Sequence, residues 1–278
     1  MPGNSEAIIL YEVGKNYSMQ KLFSKSLKKY LIVIAVPLFL FFIHPIPKKT
    51  TVYLIGDSTM ADKEVKAYPE TGWGMPFHYF FDSSVVVDNR AKNGRSTRTF
   101  IEEGRWKPVV ENLHEGDYVL IQFGHNDEVP TKRSYTKPAD FTANLEKFVN
   151  ESRSKNAIPV LITPVARRKF DSTGKIEETH AEYTQLVKDV AKKLNVPLID
   201  LDAKSQELVQ EFGPESSKYL YNYLSPGENP HYPEGHKDDT HFSELGARKM
   251  AEIVLQEIKN LNLDLADHIR VVHQKEKK

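Results

Sequence analysis

The sequence predicts a doubly wound α/β sandwich, a parallel sheet of about five strands with helices on both faces. Two observations predict it. Short β-rich runs at 51–55, 85–88, 118–123, 159–163 and 197–201 are apolar without clear alternation, as strands buried on both faces are. Between and after them lie segments with helical spacing, and strands joined by helical crossovers build parallel sheets.

The elements follow in order. Lys21, Lys25, Lys28 and Lys29 precede an uncharged apolar run at 30–43, which Pro45 and Pro47 close. Fourteen helical residues rise only about 21 Å, short of the roughly 30 Å hydrocarbon core. A basic stretch before an apolar run of this length is the pattern of an export signal. No small-x-small cleavage site follows it, so a retained membrane anchor is the alternative. Met19, just before the basic stretch, is a candidate start that would make 1–18 an extension. Residues 1–49 are set aside as leader, 50–265 as the folded domain and 266–278 as a charged tail.

Helices are expected at 140–156, 178–194 and 243–260. The first places Phe141, Leu145, Phe148 and Val149 on one stripe. The second does so with Tyr183, Leu186, Val187, Val190 and Leu194. The third aligns Leu245, Met250, Ile253, Val254 and Ile258, with Ser243 and Glu244 suited to its start. Residues 219–237, rich in Tyr, Pro, Gly and His, read as a long loop near the site.

The composition narrows the function. Lys+Arg and Asp+Glu are both 38, giving no single-sign field for nucleic acid or an anionic membrane surface. The chain has no cysteine, which excludes disulfides, thiolate metal sites and a cysteine nucleophile.

In open α/β sheets ligands bind beyond the carboxyl ends of the strands. There the sequence places Gly56-Asp57-Ser58-Thr59, Asn93-Gly94-Arg95-Ser96, Gly124-His125-Asn126-Asp127 and Thr163-Pro164-Val165-Ala166-Arg167-Arg168. Asp238-Asp239-Thr240-His241-Phe242 precedes the last helix. A serine needs a base to take its proton and a third group to orient the base. His241 suits the first task and Asp238, three residues earlier, the second. Asp239 is the alternative orienter. The Ser58 and Gly94 N–H groups and the Asn126 amide can supply an oxyanion hole. Singly these blocks read as turns and caps; together, each at its own strand end, they read as a catalytic constellation.

Those blocks, with Gly72-Trp73-Gly74, resemble the SGNH (GDSL-like) hydrolase superfamily over about 51–258, and within it the rhamnogalacturonan acetylesterase-like carbohydrate esterases. Thr59, where the general pattern has Leu, is similar to that subgroup. The resemblance implies a flavodoxin-like three-layer α/β/α fold with Ser58 as nucleophile, His241 as base, Asp238 as orienter, and Gly94 and Asn126 completing the oxyanion hole. It further implies release of O-acetyl groups from a pectic polysaccharide or its oligosaccharides. The leader pattern makes the enzyme an exported one, and two-step acyl transfer through a serine needs no metal or cofactor.

Trp73, Arg167 and Arg168 are candidate substrate contacts, Trp73 being equally suited to the core and the arginines more simply read as a solvated pair. His125 is expected to brace its loop by a hydrogen bond, Asp57 and Asp127 to support or cap, and His180 to lie in a helix without a role. The alternatives are other esters (xylan acetyl, lipid or aryl), a metallophosphoesterase, and a carbohydrate-binding protein without activity.

Overall fold

Parallel pairing joins β1 (Thr50–Gly56), β2 (Val85–Asn89), β3 (Tyr118–Gln122), β4 (Ile158–Ile162) and β5 (Leu198–Ile199) in the order β2-β1-β3-β4-β5. The computed structural model describes residues 49–270. The apolar run 30–43, read as signal or anchor, and the tail from 271 lie outside the described residues. Among the described residues no helix is long and apolar enough to cross a membrane.

Around the sheet lie α1 (Gly74–Phe77), α2 (Thr97–Glu102), α3 (Trp106–Asn112), α4 (Pro138–Arg153), α5 (Ala181–Leu194), α6 (Leu201–Ser216) and α7 (Glu244–Asn260). The pleat explains the unalternating strands. Val52, Leu54 and Leu120 point into one core with Phe77, Met250 and Val254. Their neighbours Tyr53, Ile55 and Ile121 point into a second core with Phe100, Phe148 and Val187. With both faces covered, each strand must be apolar throughout. The layers are therefore three, α/β/α. Between β1 and β3 the chain reverses its direction of travel across the sheet, and the loops after these strands flank the crevice where such sheets bind ligands.

Four local details differ from the sequence reading. Leu245, placed on the buried stripe of the last helix, is 45% exposed, while Gly246 and Ala247 take the inner positions. The fifth strand is only Leu198–Ile199, because Asp200 caps α6 by accepting the Ala203 N–H. The sequence shows no helical stripe over α6, whose inner face carries buried Asp202 and Ser205. Their partners are polar: Thr184 Oγ1 donates to Asp202 at 3.0 Å, and the Ala166 N–H to Ser205 Oγ at 2.9 Å. The domain also continues past Leu265, where Ile269 bridges to Phe81 and packs on the core.

Candidate active site

The turn after β1 carries Ser58 and is built from beneath. Asp57 Oδ1 accepts the Thr59 N–H at 2.9 Å and the Thr59 hydroxyl at 2.8 Å. Gln122, the last residue of β3, donates from Nε2 to Thr59 Oγ1 at 2.9 Å, and its Oε1 accepts the Trp73 indole N–H at 2.6 Å. The Trp73 backbone N–H donates to Thr59 O. Threonine at 59 is thus used through its hydroxyl, which leucine lacks. Trp73 is 0% exposed and packs edge-on against Phe77, so it offers no face to a sugar; the substrate-contact reading of Trp73 is corrected to core.

Facing that turn, His241 Nε2 lies 2.9 Å from Ser58 Oγ, and His241 Nδ1 lies 2.7 Å from Asp238 Oδ2. Asp238 Oδ1 accepts the N–H groups of Thr240 at 2.7 Å and His241 at 3.0 Å, which folds Asp-x-x-His into one turn. Burial works against ionised Asp238, but the His241 hydrogen bond and charge and the two N–H groups outweigh it, holding the carboxyl well below the usual range. With Asp238 ionised, Nδ1 carries the proton and Nε2 is the acceptor toward Ser58. Asp239 is turned away. Its Oδ1 accepts from Arg168 Nη1 at 2.7 Å and Tyr223 Oη at 2.6 Å, so it is not positioned to orient His241. The 219–237 loop contributes the Asn222 N–H, which donates to His241 O at 2.8 Å.

Two further loops close the site. Gly94 has φ +76°, which accounts for a glycine there even though a Cβ would meet nothing within 4 Å. The Asn126 amide donates to Arg95 O at 3.1 Å, fixing the loop after β3 against the loop after β2. Asp127 reinforces that joint, accepting the Thr97 N–H at 2.9 Å and hydroxyl at 2.6 Å at the start of α2. A cavity of about 480 Å³ is lined by Ser58, Gly94, Asn126 and His241, with Glu70, Lys132 and Arg167 among its walls.

Residues 54–249 match the GDSL-like Lipase/Acylhydrolase family. The chain belongs to this family. It is 46% identical to rhamnogalacturonan acetylesterase RhgT of Bacillus subtilis (strain 168), over 80% of this chain and 95% of the relative. It is 36% identical to probable rhamnogalacturonan acetylesterase YesY of the same organism, over 78% and 96%. Among solved structures, the Bacillus subtilis protein YxiM superposes with TM-score 0.68 at 26% identity, covering 78% of this chain and 58% of that one. An acetylxylan esterase of Geobacillus stearothermophilus, 20% identical, shares the fold with TM-score 0.55 over 77% and 95% of the two chains. The chain is accordingly a carboxylic ester hydrolase of the GDSL-like family.

Within this esterase the two arginines part company. Arg167 lines the cavity and donates from Nη1 to Thr240 Oγ1 at 2.6 Å and from Nη2 to Glu128 Oε1 at 3.3 Å. Arg168 does not line that cavity. It donates to Ser217 Oγ, Tyr223 Oη, Asp239 and Pro214 O and stacks over Tyr223, so it braces the Asp239 loop against the end of α6. Neither arginine is a free solvated side chain.

His125 is buried and meets His180 edge-on, ring centroids 4.3 Å apart, and neither of its ring nitrogens makes a hydrogen bond of normal geometry. Burial, then His180 and Arg167, push it well below the usual histidine range. A backbone hydrogen bond with Val165 only partly opposes that shift, and ring packing on His180 is the closer contact. His180 precedes α5 and bonds Glu128 Oε2 through Nδ1 at 2.7 Å. Gln122, Glu128 and Thr240 support the site without having been singled out from the sequence. Glu128 and Thr240 adjoin or lie within recognised blocks, whereas Gln122 is hidden as the polar end of an apolar strand.

Proposed function

We propose that this esterase removes O-acetyl groups from a pectic polysaccharide of the rhamnogalacturonan type, or its oligosaccharides, by acyl transfer through Ser58. The observation that carries the chemistry is the relay itself, with 2.9 Å from Ser58 Oγ to His241 Nε2 and 2.7 Å from His241 Nδ1 to Asp238. Ser58 Oγ attacks the acetyl carbonyl as His241 Nε2 takes its proton. The carbonyl oxygen, now negative, is met by the Ser58 and Gly94 N–H groups and the Asn126 amide. His241 returns the proton to the departing sugar oxygen, leaving acetyl-Ser58 and a free hydroxyl. Water, deprotonated by His241, then releases acetate and restores the serine. Asp238 keeps the imidazole in the required tautomer and stabilises its charged form.

The substrate class is supported by the names of the two Bacillus relatives. Export, by cleavable signal or anchor, is supported by the basic stretch and apolar run before residue 49. Acetate release from acetylated rhamnogalacturonan, homogalacturonan, xylan and an aryl acetate tests the reading. Rhamnogalacturonan should turn over best, Ser58→Ala should lose nearly all release while remaining folded, and chelators should have no effect. Preference for xylan would overturn the substrate, and an active Ser58→Ala the mechanism. Detection of the protein in the periplasmic, membrane or culture fraction tests export.

A further inference from the structure

Lys63 lies five residues beyond Ser58, and its side chain is wholly buried. A buried ammonium is costly to desolvate unless every donor is answered. Here three acceptors answer it. Nζ donates to the Ser58 carbonyl at 2.5 Å and to Asn93 Oδ1 at 3.0 Å, and pairs with Glu70 Oε1 at 2.7 Å.

The three acceptors come from three segments of the site. Ser58 O belongs to the turn that carries the hydroxyl. Asn93 immediately precedes Gly94, and both line the cavity. Glu70 precedes Thr71, whose N–H donates to Phe242 O at 2.9 Å, directly after His241. One ammonium therefore sits where the segments bearing the serine, the oxyanion donor and the base converge. A well-packed apolar side chain would generally hold such a fold as firmly as a buried ion pair. What it cannot do is fix three separate polar loops at hydrogen-bond distance from one point.

We propose that Lys63 is a positioning residue, which sets the separation between the Ser58 hydroxyl and the Gly94 N–H. It touches no reacting atom, since its donors are already taken. Acyl transfer is sensitive to that separation, because a misplacement of about 1 Å can cost on the order of a hundredfold in rate. The proposal rests on Ser58 being the nucleophile.

The test is Lys63→Met, which keeps the length and removes the charge, assayed on a soluble aryl acetate and by the rate of inactivation with a serine-directed phosphonate. With melting temperature recorded alongside, kcat and the phosphonate rate should fall together by about ten- to hundredfold while KM stays within about threefold. An unchanged kcat, or a loss confined to KM, overturns the proposal. Should Lys63→Met fail to fold, Asn93→Ala decides. Asn93 is exposed, and its removal deletes one arm of the junction; a drop in kcat at constant KM supports the assignment and an unchanged kcat overturns it. Ser58→Ala run in parallel separates the two ideas. If Ser58→Ala is inactive and Lys63→Met keeps the parent's kcat, only the Lys63 proposal fails; if Ser58→Ala keeps its activity, both fail.

Discussion

Arg167 donates from Nη1 to the Thr240 hydroxyl at 2.6 Å, tying the segment after β4 to the turn that carries Asp238 and His241. Its Nη2 reaches Glu128, which also holds His180, so one guanidinium joins the late turn to the loop after β3. A hydrogen bond to a charged group contributes about 1.5–3 kcal/mol. Arg167→Ala should therefore lower kcat on an aryl acetate by about tenfold or more with little change in KM. If the guanidinium chiefly grips a substrate carboxylate, the aryl acetate rate will hold and KM for acetylated rhamnogalacturonan will rise. Steady-state kinetics on both substrates decide between these outcomes.

Asn126 has two amide hydrogens, and one is committed to Arg95 O. The proposed mechanism assigns the other to the oxyanion. Removing one oxyanion donor typically costs on the order of a hundred- to thousandfold in turnover. Asn126→Ala should show that loss in kcat, with KM nearly unchanged. It should also destabilise by about 1 kcal/mol through the lost loop bond. Unchanged turnover in a folded variant would remove Asn126 from the oxyanion hole.

The strands and the four strand-end blocks were legible because their signals are local: apolar runs, and polar motifs where each run stops. The pairing of His241 with Asp238 was legible too, since three residues on one turn fix the geometry. What stayed hidden depends on contacts across the fold. Trp73 cannot be assigned to core or surface until Gln122, 49 residues away, is seen to accept its indole N–H. Arg167 and Arg168 are adjacent in sequence, yet one lines the cavity and the other holds Asp239, a difference set by partners more than forty residues away in the chain. Helix α6 escaped because buried Asp202 and Ser205 interrupt the apolar stripe that reveals a helix.

Trp73 yields a prediction about stability. Trp73→Phe removes the indole N–H and leaves Gln122 Oε1 buried without that donor, which costs about 1–3 kcal/mol in addition to the lost volume. Since the indole does not face the cavity, KM for the polysaccharide should stay as it is while the melting temperature falls. A rise in KM without loss of stability would return Trp73 to the substrate site.

Two carboxylates give stability opposite dependences on pH. Asp238 is held low in the folded protein, so its contribution is present above the unfolded value of about 3.9 and fades as pH falls toward the folded one. Asp127 is the reverse. Burial raises it to about 7, the Thr97 hydroxyl and N–H only partly opposing, so the folded state keeps a proton that the unfolded chain has lost. Between about pH 4 and 7 the native state then binds more protons, and this group's contribution to stability declines as pH rises through 7. Asp127→Asn retains an oxygen to accept from Thr97 but cannot titrate. Its melting temperature should fall less steeply than the parent's between pH 5 and 8, whereas Asp238→Asn should differ most from the parent near neutrality and converge with it below pH 4. Thermal denaturation from about pH 2 to 8 checks both signs, and parallel curves for Asp127→Asn and the parent would show that Asp127 is ionised in the fold at the lower pH.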